Sequence, residues 1–472
     1  MANIIIELNN IINNLVWGTP MLALLIGTGI FMTVSTRFFQ FTHFKHWLCC
    51  TFGSIFTDKH ITLHTDKNDG SISQFQSLCT TLAATLGTGN IVGVASAIIL
   101  GGPGSIFWMW VVSFFGMMTT YSENVLGIFY RRKNSANEWC GGPMYYLQYG
   151  LGSKTGFKRI GKFLATAFAG FCVLASFGIG NMSQVNSIAG NMQSTFGISP
   201  LPLGLILMLL GGLVILGGIK RIANVTEKLV PFMAITYILM AITVCIVNIK
   251  AFPQVISSIF AGAFGLQSAT GGIVGGGLNL ALTWGMKRGI FSNEAGLGSS
   301  AIINSCSNVT EPVRQGMWGI FEVFADTIVL CSLTGFAILS SGLINLDTGA
   351  LTDTSINAAE LAGKAFATAF GSFGPVFMAI AILMFAFATV LGWSHYGSKA
   401  FEFLFGEKYT YVYKIIFVWF IFIGSIMKLS LAWDLSDTFN GLMAIPNLIG
   451  VLGLSPMVVK ITRNYMKRTL HG

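Results

Sequence analysis

The sequence contains few charged residues. Asp, Glu, Lys and Arg make up 10% of its 472 residues, whereas soluble domains carry about 25%. The 8 cysteines include no Cys-X-X-Cys pair, so no zinc site or disulfide framework is predicted. Walker A, Gly-X-Ser-X-Gly, His-Glu-X-X-His and dinucleotide-binding glycine motifs are also missing. These absences argue against an enzyme and against an ATP-driven pump, and they predict no cofactor.

Apolar residues dominate the composition. Hydrophobic residues make up 53% of the chain and aromatic residues 13%, and the mean hydropathy is +0.70. Because a helix needs about 20 apolar residues to cross a bilayer, the sequence predicts an all-α membrane protein with about eleven transmembrane helices in a single polytopic domain, residues 1–472. The predicted spans are Ile12–Val34, Gln76–Leu100, Ser105–Tyr130, Phe163–Asn186, Leu201–Gly218, Leu229–Ile249, Gly272–Ser305, Met317–Gly342, Ser372–Tyr396, Val412–Met427 and Gly441–Val459.

The distribution of Lys and Arg predicts the orientation of these spans. If the N-terminus is outside, the cytoplasmic segments hold 22 of the 27 basic residues, because only Lys250, Lys364 and Lys428 lie outside and Lys287 and Arg288 fall within span seven. Cytoplasmic loops are expected to hold this excess, so we predict an outside N-terminus and a cytoplasmic C-terminus. The net charge of +9 then needs no nucleic-acid partner. The apolar spans predict the lipid bilayer as a partner, and the sequence predicts no oligomeric state.

Predicted span two contains residues that disfavour a continuous helix. Gly87 and Gly89 lie close to Thr85, Thr88 and Asn90 in the middle of the span, and each glycine costs a helix about 1 kcal/mol relative to alanine. A break at this depth is tolerated only where the freed backbone lines a cavity. Freed amides suit a carboxylate, whereas carbonyl and side-chain oxygens suit a sodium ion. The alternative is a packing face of small residues.

Predicted span seven has a similar character. It begins with the glycine-rich stretch Gly271–Gly277 and later contains Lys287, Arg288 and Glu294. Charged residues at this depth avoid lipid, so we predict an internal ion pair near an unwound segment. The alternative is that the helix ends near Trp284 and that the charges lie in a loop.

The positions of the two broken spans predict an inverted repeat. Without span one, the other ten spans divide into two sets of five, residues 76–249 and 272–459, and each set begins with a broken span. Inverted repeats with a site at the membrane midplane are typical of secondary transporters. Residues 12–60 would then form an extra N-terminal helix followed by an interfacial amphipathic helix over Arg37–Phe56.

Several motifs are similar to a known family. The stretch Gly285–Gly298 resembles the signature of the alanine/glycine:cation symporters (sodium:alanine symporters), as do Gly87–Gly93, Gly101–Gly104 and Cys140–Tyr146. The resemblance covers nearly the whole chain. It implies membership of the APC superfamily and a leucine-transporter-like 5+5 inverted repeat preceded by one extra helix. It also implies sodium-coupled uptake of alanine or glycine, small neutral amino acids, across the plasma membrane of a prokaryote.

The resemblance further implies where the substrate binds, between the two broken spans and against spans four and nine. The substrate-binding residues that it implies are Thr88, Gly89, Asn90, Phe177, Gln184, Ile290, Ser292 and Trp393. At Ile290 and Ser292 the expected contact is through the backbone. On span four, Asn181 and Gln184 lie one turn apart, and their alternative role is hydrogen bonding between helices.

The resemblance to this family also implies a sodium site at the first break. We expect the hydroxyl of Thr389 to bind the ion together with the carbonyls of Ala83, Leu86 and Ala386, since such oxygen ligands suit a hard cation. Trp393 lies one turn after Thr389 and is expected to limit the size of the substrate side chain. Its alternative role is that of an ordinary packing or interfacial aromatic.

Buried acids leave an alternative open. Glu123, Glu322 and Asp326 lie in the spans that follow the two broken ones and could relay protons, as could His395. We expect the acids to pair with Lys, Arg or backbone groups as structural locks, but a proton-coupled carrier remains the alternative hypothesis. A passive channel is a weaker alternative, because paired broken helices favour an occluded site.

Overall fold

The computed structural model describes residues 2–66, 70–265, 276–427 and 430–470. These ranges are almost entirely helical, with one two-stranded hairpin. The first part of the predicted glycine-rich stretch, residues 271–275, lies outside the described residues, as does the predicted start of span seven.

The N-terminal part is α-helical, and predicted span one is divided in two. Gly18 precedes the second helix and Pro20 lies in its first turn, a position that favours helix initiation and ends the preceding helix. The predicted interfacial helix is also divided, since short helices flank a π-helical turn at Cys49–Gly53. The helices here are α1 (Ala2–Val16), α2 (Thr19–Ser35), α3 (Phe39–Thr42), α4 (Phe44–Leu48), α5 (Ser54–Thr57) and α6 (Lys59–Thr62).

The region of the first predicted repeat contains a broken first helix and a long continuous second one, whose bounds match predicted span three. A hairpin that was not predicted follows it and pairs Arg132 with Cys140. The elements are α7 (Gln74–Thr85), α8 (Val92–Gly101), α9 (Ser105–Tyr130), β1 (Arg132–Lys133), β2 (Trp139–Cys140), α10 (Pro143–Tyr145), α11 (Lys158–Phe177), α12 (Ser183–Phe196), α13 (Pro200–Ile215) and α14 (Gly218–Val247). A π-helical segment, Gly178–Met182, joins α11 to α12.

The region of the second predicted repeat also begins with a broken helix. Two of the helices in this half of the chain, α15 and α20, connect predicted spans and were not predicted. The elements are α15 (Phe252–Ala263), α16 (Gly276–Asn293), α17 (Ser300–Asn304), α18 (Pro312–Val323), α19 (Ser332–Ser340), α20 (Ala358–Phe370), α21 (Phe373–Phe405), α22 (Thr410–Ile426) and α23 (Ser430–Leu470). A π-helical segment, Phe324–Cys331, joins α18 to α19.

Packing brings the two broken helices together. The long helix α21 packs against α7, α11 and α12, and α16 packs against α8 and α9. The turn that interrupts α7 and α8 contacts both α16 and α21. Seven helices in the described ranges are long and apolar enough to cross a membrane, so the protein is a multi-pass membrane protein. The finer number of eleven stays a prediction.

Candidate functional site

The first break lies at Leu86–Ile91, between α7 and α8, and contains the 3-10 turn Thr88–Asn90. The side-chain oxygen of Asn90 accepts a hydrogen bond from the backbone N–H of Gly87 (3.1 Å), which satisfies one of the amides that the break frees. A Cβ atom at Gly87 would lie 2.6 Å from the hydroxyl oxygen of Thr389 and 3.3 Å from Oε1 of Gln184. Only glycine therefore allows α21 and α12 to approach this turn so closely.

The second break lies at Glu294–Ser299, between α16 and α17. Three residues adopt the left-handed conformation, Glu294 (φ 57°), Gly296 (φ 91°) and Gly298 (φ 80°). For a non-glycine residue such as Glu294 this conformation is costly and often marks a functional site. The sequence predicted free backbone near Ile290 and Ser292, but α16 continues through both. The carbonyl of Ile290 already accepts the N–H of Glu294 (2.9 Å).

A small cavity lies between the two breaks. Its volume is about 20 Å³, which suffices for about one water molecule, so the walls must separate before an amino acid can enter. The lining residues are Ala84, Thr85, Gly87, Gly89, Ile179, Gln184, Phe291, Glu294, Thr389, Trp393 and Asn440. The predicted residues Gly89, Gln184, Thr389 and Trp393 thus meet at one place.

Thr389 is surrounded by carbonyl oxygens. Its hydroxyl oxygen lies 3.1 Å from the carbonyl oxygen of Ala83, 3.3 Å from that of Leu86 and 3.1 Å from that of Phe385. The hydroxyl has one proton to donate, so several acceptor lone pairs converge on it. The α21 carbonyl that accepts from this hydroxyl is that of Phe385, and Ala386 as a sodium ligand stays a prediction. This arrangement of oxygens suits a hard cation.

Gln184 connects α12 to the first break. Its Oε1 accepts hydrogen bonds from the N–H (3.3 Å) and the hydroxyl (3.1 Å) of Thr88, and its Nε2 donates to the carbonyl of Ile179 (3.0 Å). Asn181 instead donates to the carbonyl of Phe417 in α22 (2.8 Å), which is the alternative role of hydrogen bonding between helices. Thr88 itself is buried and does not line the cavity.

Phe177 does not contribute to the cavity. Its ring packs against those of Tyr413, Phe417 and Phe420, with centroids 4.9 to 5.8 Å apart. The prediction that it contacts substrate is therefore not supported by this geometry, because Phe177 ends α11 and faces α22. Gly180, and not Phe177, lies beside Trp393. A Cβ atom at Gly180 would lie 2.4 Å from the side chain of Trp393.

Glu294 and Trp393 form a pair across the cavity. Nε1 of Trp393 donates to Oε1 of Glu294 (2.9 Å), and the hydroxyl of Ser299 donates to Oε2 (2.5 Å). Among the described residues Glu294 takes part in no ion pair. The sequence predicts an ion pair of Glu294 with Lys287 or Arg288, which this geometry does not show. Its left-handed backbone (φ 57°) has no sequence signal.

The two basic residues of α16 have other neighbours. Lys287 forms an ion pair with Asp437 of α23 (3.2 Å). The guanidinium of Arg288 lies 5.5 Å from the ring centroids of both Trp284 and Phe291. The predicted ion pair within span seven is therefore wrong, because the acid that pairs with Lys287 comes from a helix about 150 residues later in the chain.

Asp326 joins the two broken helices. Its carboxylate accepts hydrogen bonds from Nδ2 of Asn90 (2.6 Å), from the hydroxyl of Ser292 (2.9 Å) and from the hydroxyl of Thr327 (2.7 Å). Asn90 and Ser292 thus have side-chain partners outside the cavity. Asp326 is fully buried, and every one of these donors is neutral. Its place between the breaks follows from the packing of three helices and was missed in the sequence.

The other buried acids have amide partners. Nδ2 of Asn447 donates to Glu123 (2.5 Å), and Nδ2 of Asn304 donates to Glu322 (3.1 Å). Neither acid lines the cavity. His395 lies 3.5 Å from the sulfur of Cys306, also away from it. Side-chain amides thus stand where Lys or Arg partners were expected, and the role of these acids as structural locks stays a prediction.

This chain is similar to known proteins over almost its whole length. The model of the sodium:alanine symporter family matches residues 2–472. The sodium/alanine symporter AgcS of Methanococcus maripaludis is 45% identical over 98% of this chain and 97% of its own. The putative sodium/proton-dependent alanine carrier protein YrbD of Bacillus subtilis is 36% identical over 100% and 94%. The manganese transporter of Eremococcus coleocola has the leucine-transporter-type fold, with a TM-score of 0.53, 14% identity and coverage of 85% and 82%.

Proposed function

Because the chain belongs to the sodium:alanine symporter family, we propose that it couples the entry of sodium ions to the uptake of a small neutral amino acid, alanine or glycine. It is a membrane transporter and not an enzyme. The observation that carries the proposal is the cavity between the two breaks, which unites a carbonyl-rich position at Thr389 with a buried carboxylate at Glu294. The carboxylate would suit the ammonium group of an amino acid, and the carbonyl oxygens would suit a sodium ion.

The sodium ion would bind next to the first break. The carbonyl oxygens of Ala83 and Leu86 already lie 3.1 Å and 3.3 Å from the hydroxyl oxygen of Thr389. Sodium would draw these groups together and so fix the end of α7 against α21. Such an ion selects the conformation in which the two helices are in contact, which is how differential binding shifts a conformational equilibrium.

The amino acid would bind in the cavity beside the sodium ion. The carboxylate of Glu294 has only neutral hydrogen-bond donors among its described partners, so a substrate ammonium would supply the missing positive charge. The substrate carboxylate would face the turn around Gly89. Trp393 and Phe291 close the remaining sides, which supports a small side chain and the exclusion of one as large as leucine.

Transport would proceed by alternating access. The cavity of about 20 Å³ is too small for the substrate, so binding and release require the helices around the breaks to separate on one side at a time. The excess of Lys and Arg in alternate loops supports an outside N-terminus and a cytoplasmic C-terminus in a prokaryotic plasma membrane.

Proton coupling is the second candidate. The observation that favours it is Asp326, a fully buried carboxylate between Asn90 and Ser292 of the two broken helices. Protonation there would change the contact between the breaks directly. In this alternative a proton, and not sodium, brings the two helices together.

Uptake into proteoliposomes tests the proposal. Radiolabelled alanine is offered with an inward sodium gradient or an equal potassium gradient, at the same pH on both sides. We expect accumulation only with sodium. Equal uptake with both cations would overturn sodium coupling, and accumulation driven by a pH gradient alone would establish the proton alternative. Glycine and leucine as competitors test the expected size limit.

A further inference from the structure

A second, larger cavity lies far from the central one, where α2 ends and α23 approaches its own end. Its volume is about 470 Å³, within the range of small-molecule sites. The wall on one side comes from Ser35, Thr36 and Arg37, and on the other side from Thr462, Arg463 and Lys467. Two transmembrane helices therefore supply hydroxyl and cationic groups to the same space.

The charge of this cavity is positive, and no ion pair among the described residues compensates it. Arg37, Arg463 and Lys467 are exposed, and none of the ion pairs in the described part of the chain includes them. The acid Glu311 pairs with Arg468 (2.7 Å), which does not line the cavity. Three cationic side chains that share one cavity and have no acidic partner in the described ranges favour an anionic ligand. Arginine favours phosphate through its paired donors.

The backbone beside the cavity ends α2 in a tight turn. Arg37 (φ 60°) and Phe38 (φ 56°) are two consecutive non-glycine residues in the left-handed conformation. They form the C-terminal cap of α2, in which left-handed residues allow the last carbonyls of the helix to be hydrogen-bonded. The cap thereby positions Arg37, which lines the cavity. The turn is fixed by hydrogen bonds from the N–H of Arg37 to the carbonyl of Val34 (3.0 Å) and from that of Phe38 to Thr33 (2.7 Å).

The surroundings point to a lipid rather than a free anion. Phe38, Phe41 and Phe44 follow the turn and are about half exposed, 48%, 52% and 47%, as is typical of aromatic residues at a membrane interface. Phe39 and Met466 add apolar surface to the cavity wall. A ligand that combines a phosphate with acyl chains would satisfy both the cationic and the apolar groups. Basic pockets between transmembrane helices bind such headgroups.

We propose that the cavity between the ends of α2 and α23 binds the phosphate headgroup of an anionic phospholipid, with Arg37, Arg463 and Lys467 as its ligands. The acyl chains would lie along the exposed aromatic residues that follow Arg37. This site is separate from the proposed transport site, since it shares no lining residue with the central cavity.

Native mass spectrometry of the full chain in detergent tests the proposal. Phosphatidylglycerol is titrated into the wild type and the double variant R463Q/K467Q, with phosphatidylcholine and inorganic phosphate as the other probes. Each basic residue near the surface contributes on the order of a fivefold gain in binding, so the double variant should bind phosphatidylglycerol about 30-fold more weakly. The matched control is K158Q/R159Q, which removes two exposed charges outside the cavity and should bind like the wild type.

The outcomes separate the possible ligands. Retention of one phosphatidylglycerol per chain by the wild type and the control, but not by R463Q/K467Q, supports the proposal. Equal binding by both double variants overturns the site, and equal binding of phosphatidylcholine overturns the requirement for an anionic headgroup. Displacement of the lipid by inorganic phosphate at the same concentration would assign the cavity to a free anion. R37Q provides a second variant, and monodisperse elution of each protein verifies folding.

Discussion

Nε1 of Trp393 donates a 2.9 Å hydrogen bond to Oε1 of Glu294, and this contact joins the long helix α21 to the break between α16 and α17. Both residues are buried and both line the central cavity. The indole therefore fixes the orientation of the only carboxylate among the described residues of that lining. A substrate that bears an ammonium group would meet a carboxylate whose position is already set.

Glu294→Gln should weaken alanine binding. The substitution preserves the size of the side chain and removes the charge that would pair with the ammonium group, so we expect the apparent affinity to fall about tenfold or more. The measurement is competition by unlabelled alanine in proteoliposomes at saturating sodium. Trp393→Phe is the comparison, because it removes the hydrogen bond and leaves the carboxylate. The apparent affinity for alanine should fall less in this variant than in Glu294→Gln. Unchanged alanine affinity in the Glu294 variant would refute the proposed ammonium contact.

Gly87→Ala should strongly reduce sodium-dependent uptake. The added Cβ would lie 2.6 Å from the hydroxyl oxygen of Thr389, so α21 would have to move away from the first break. We expect uptake at physiological sodium to fall at least about tenfold, as an overpacked core position costs about 1–3 kcal/mol. The control is Gly93→Ala in α8, where the nearest atom to the new Cβ is 4.0 Å away. Similar losses in the two variants would show that the effect is not specific to the site.

Asp326→Asn distinguishes the two candidate coupling ions. An asparagine accepts at only one side-chain oxygen, so one of the three donors at Asp326 loses its partner. Under sodium coupling we expect uptake to slow about tenfold and still to require sodium. Ser292→Ala removes one donor without a change of charge and should have a milder effect. If a pH gradient alone drives uptake by the wild type and not by the Asp326 variant, proton coupling is correct.

Lys399→Met should destabilise the protein. The amine of Lys399 lies 2.7 Å from Glu138 in the hairpin loop and 2.8 Å from Glu402 in α21, and Lys399 and Glu402 are buried. Loss of the lysine leaves Glu402 without its cation, which costs about 3–5 kcal/mol for a buried pair. The melting temperature in detergent should fall by several degrees, whereas Lys408→Met, at an exposed position, should leave it unchanged. Equal melting temperatures would mean that this ion pair contributes little.

Much of the fold could be predicted because it depends on local composition. The bounds of α9 match the predicted span, since an uninterrupted apolar run determines them. The first break was predicted from Gly87 and Gly89, whose cost in a helix is local. The second break was predicted in span seven, but one turn too early, because the left-handed conformation of Glu294 depends on tertiary contacts that the sequence does not display.

The partners of polar residues were harder to predict. Lys287 pairs with Asp437 and Asp326 bonds to Asn90, and both contacts join residues that are far apart in the chain. Phe177 was assigned to the pocket from the resemblance alone, whereas packing directs it towards α22. Thr389 lies beside the carbonyls of Ala83 and Leu86, although its role in sodium binding stays a prediction.

The most direct test of the account is the sodium dependence of alanine uptake by Thr389→Ala, with Thr389→Ser as the control that retains the hydroxyl. Loss of the contact between this hydroxyl and the sodium ion should raise the sodium concentration for half-maximal uptake about tenfold or more. The apparent affinity for alanine at saturating sodium should change much less, and the serine variant should behave like the wild type. If Thr389→Ala shows the sodium dependence of the wild type, the sodium ion does not bind at this hydroxyl and the central claim is contradicted.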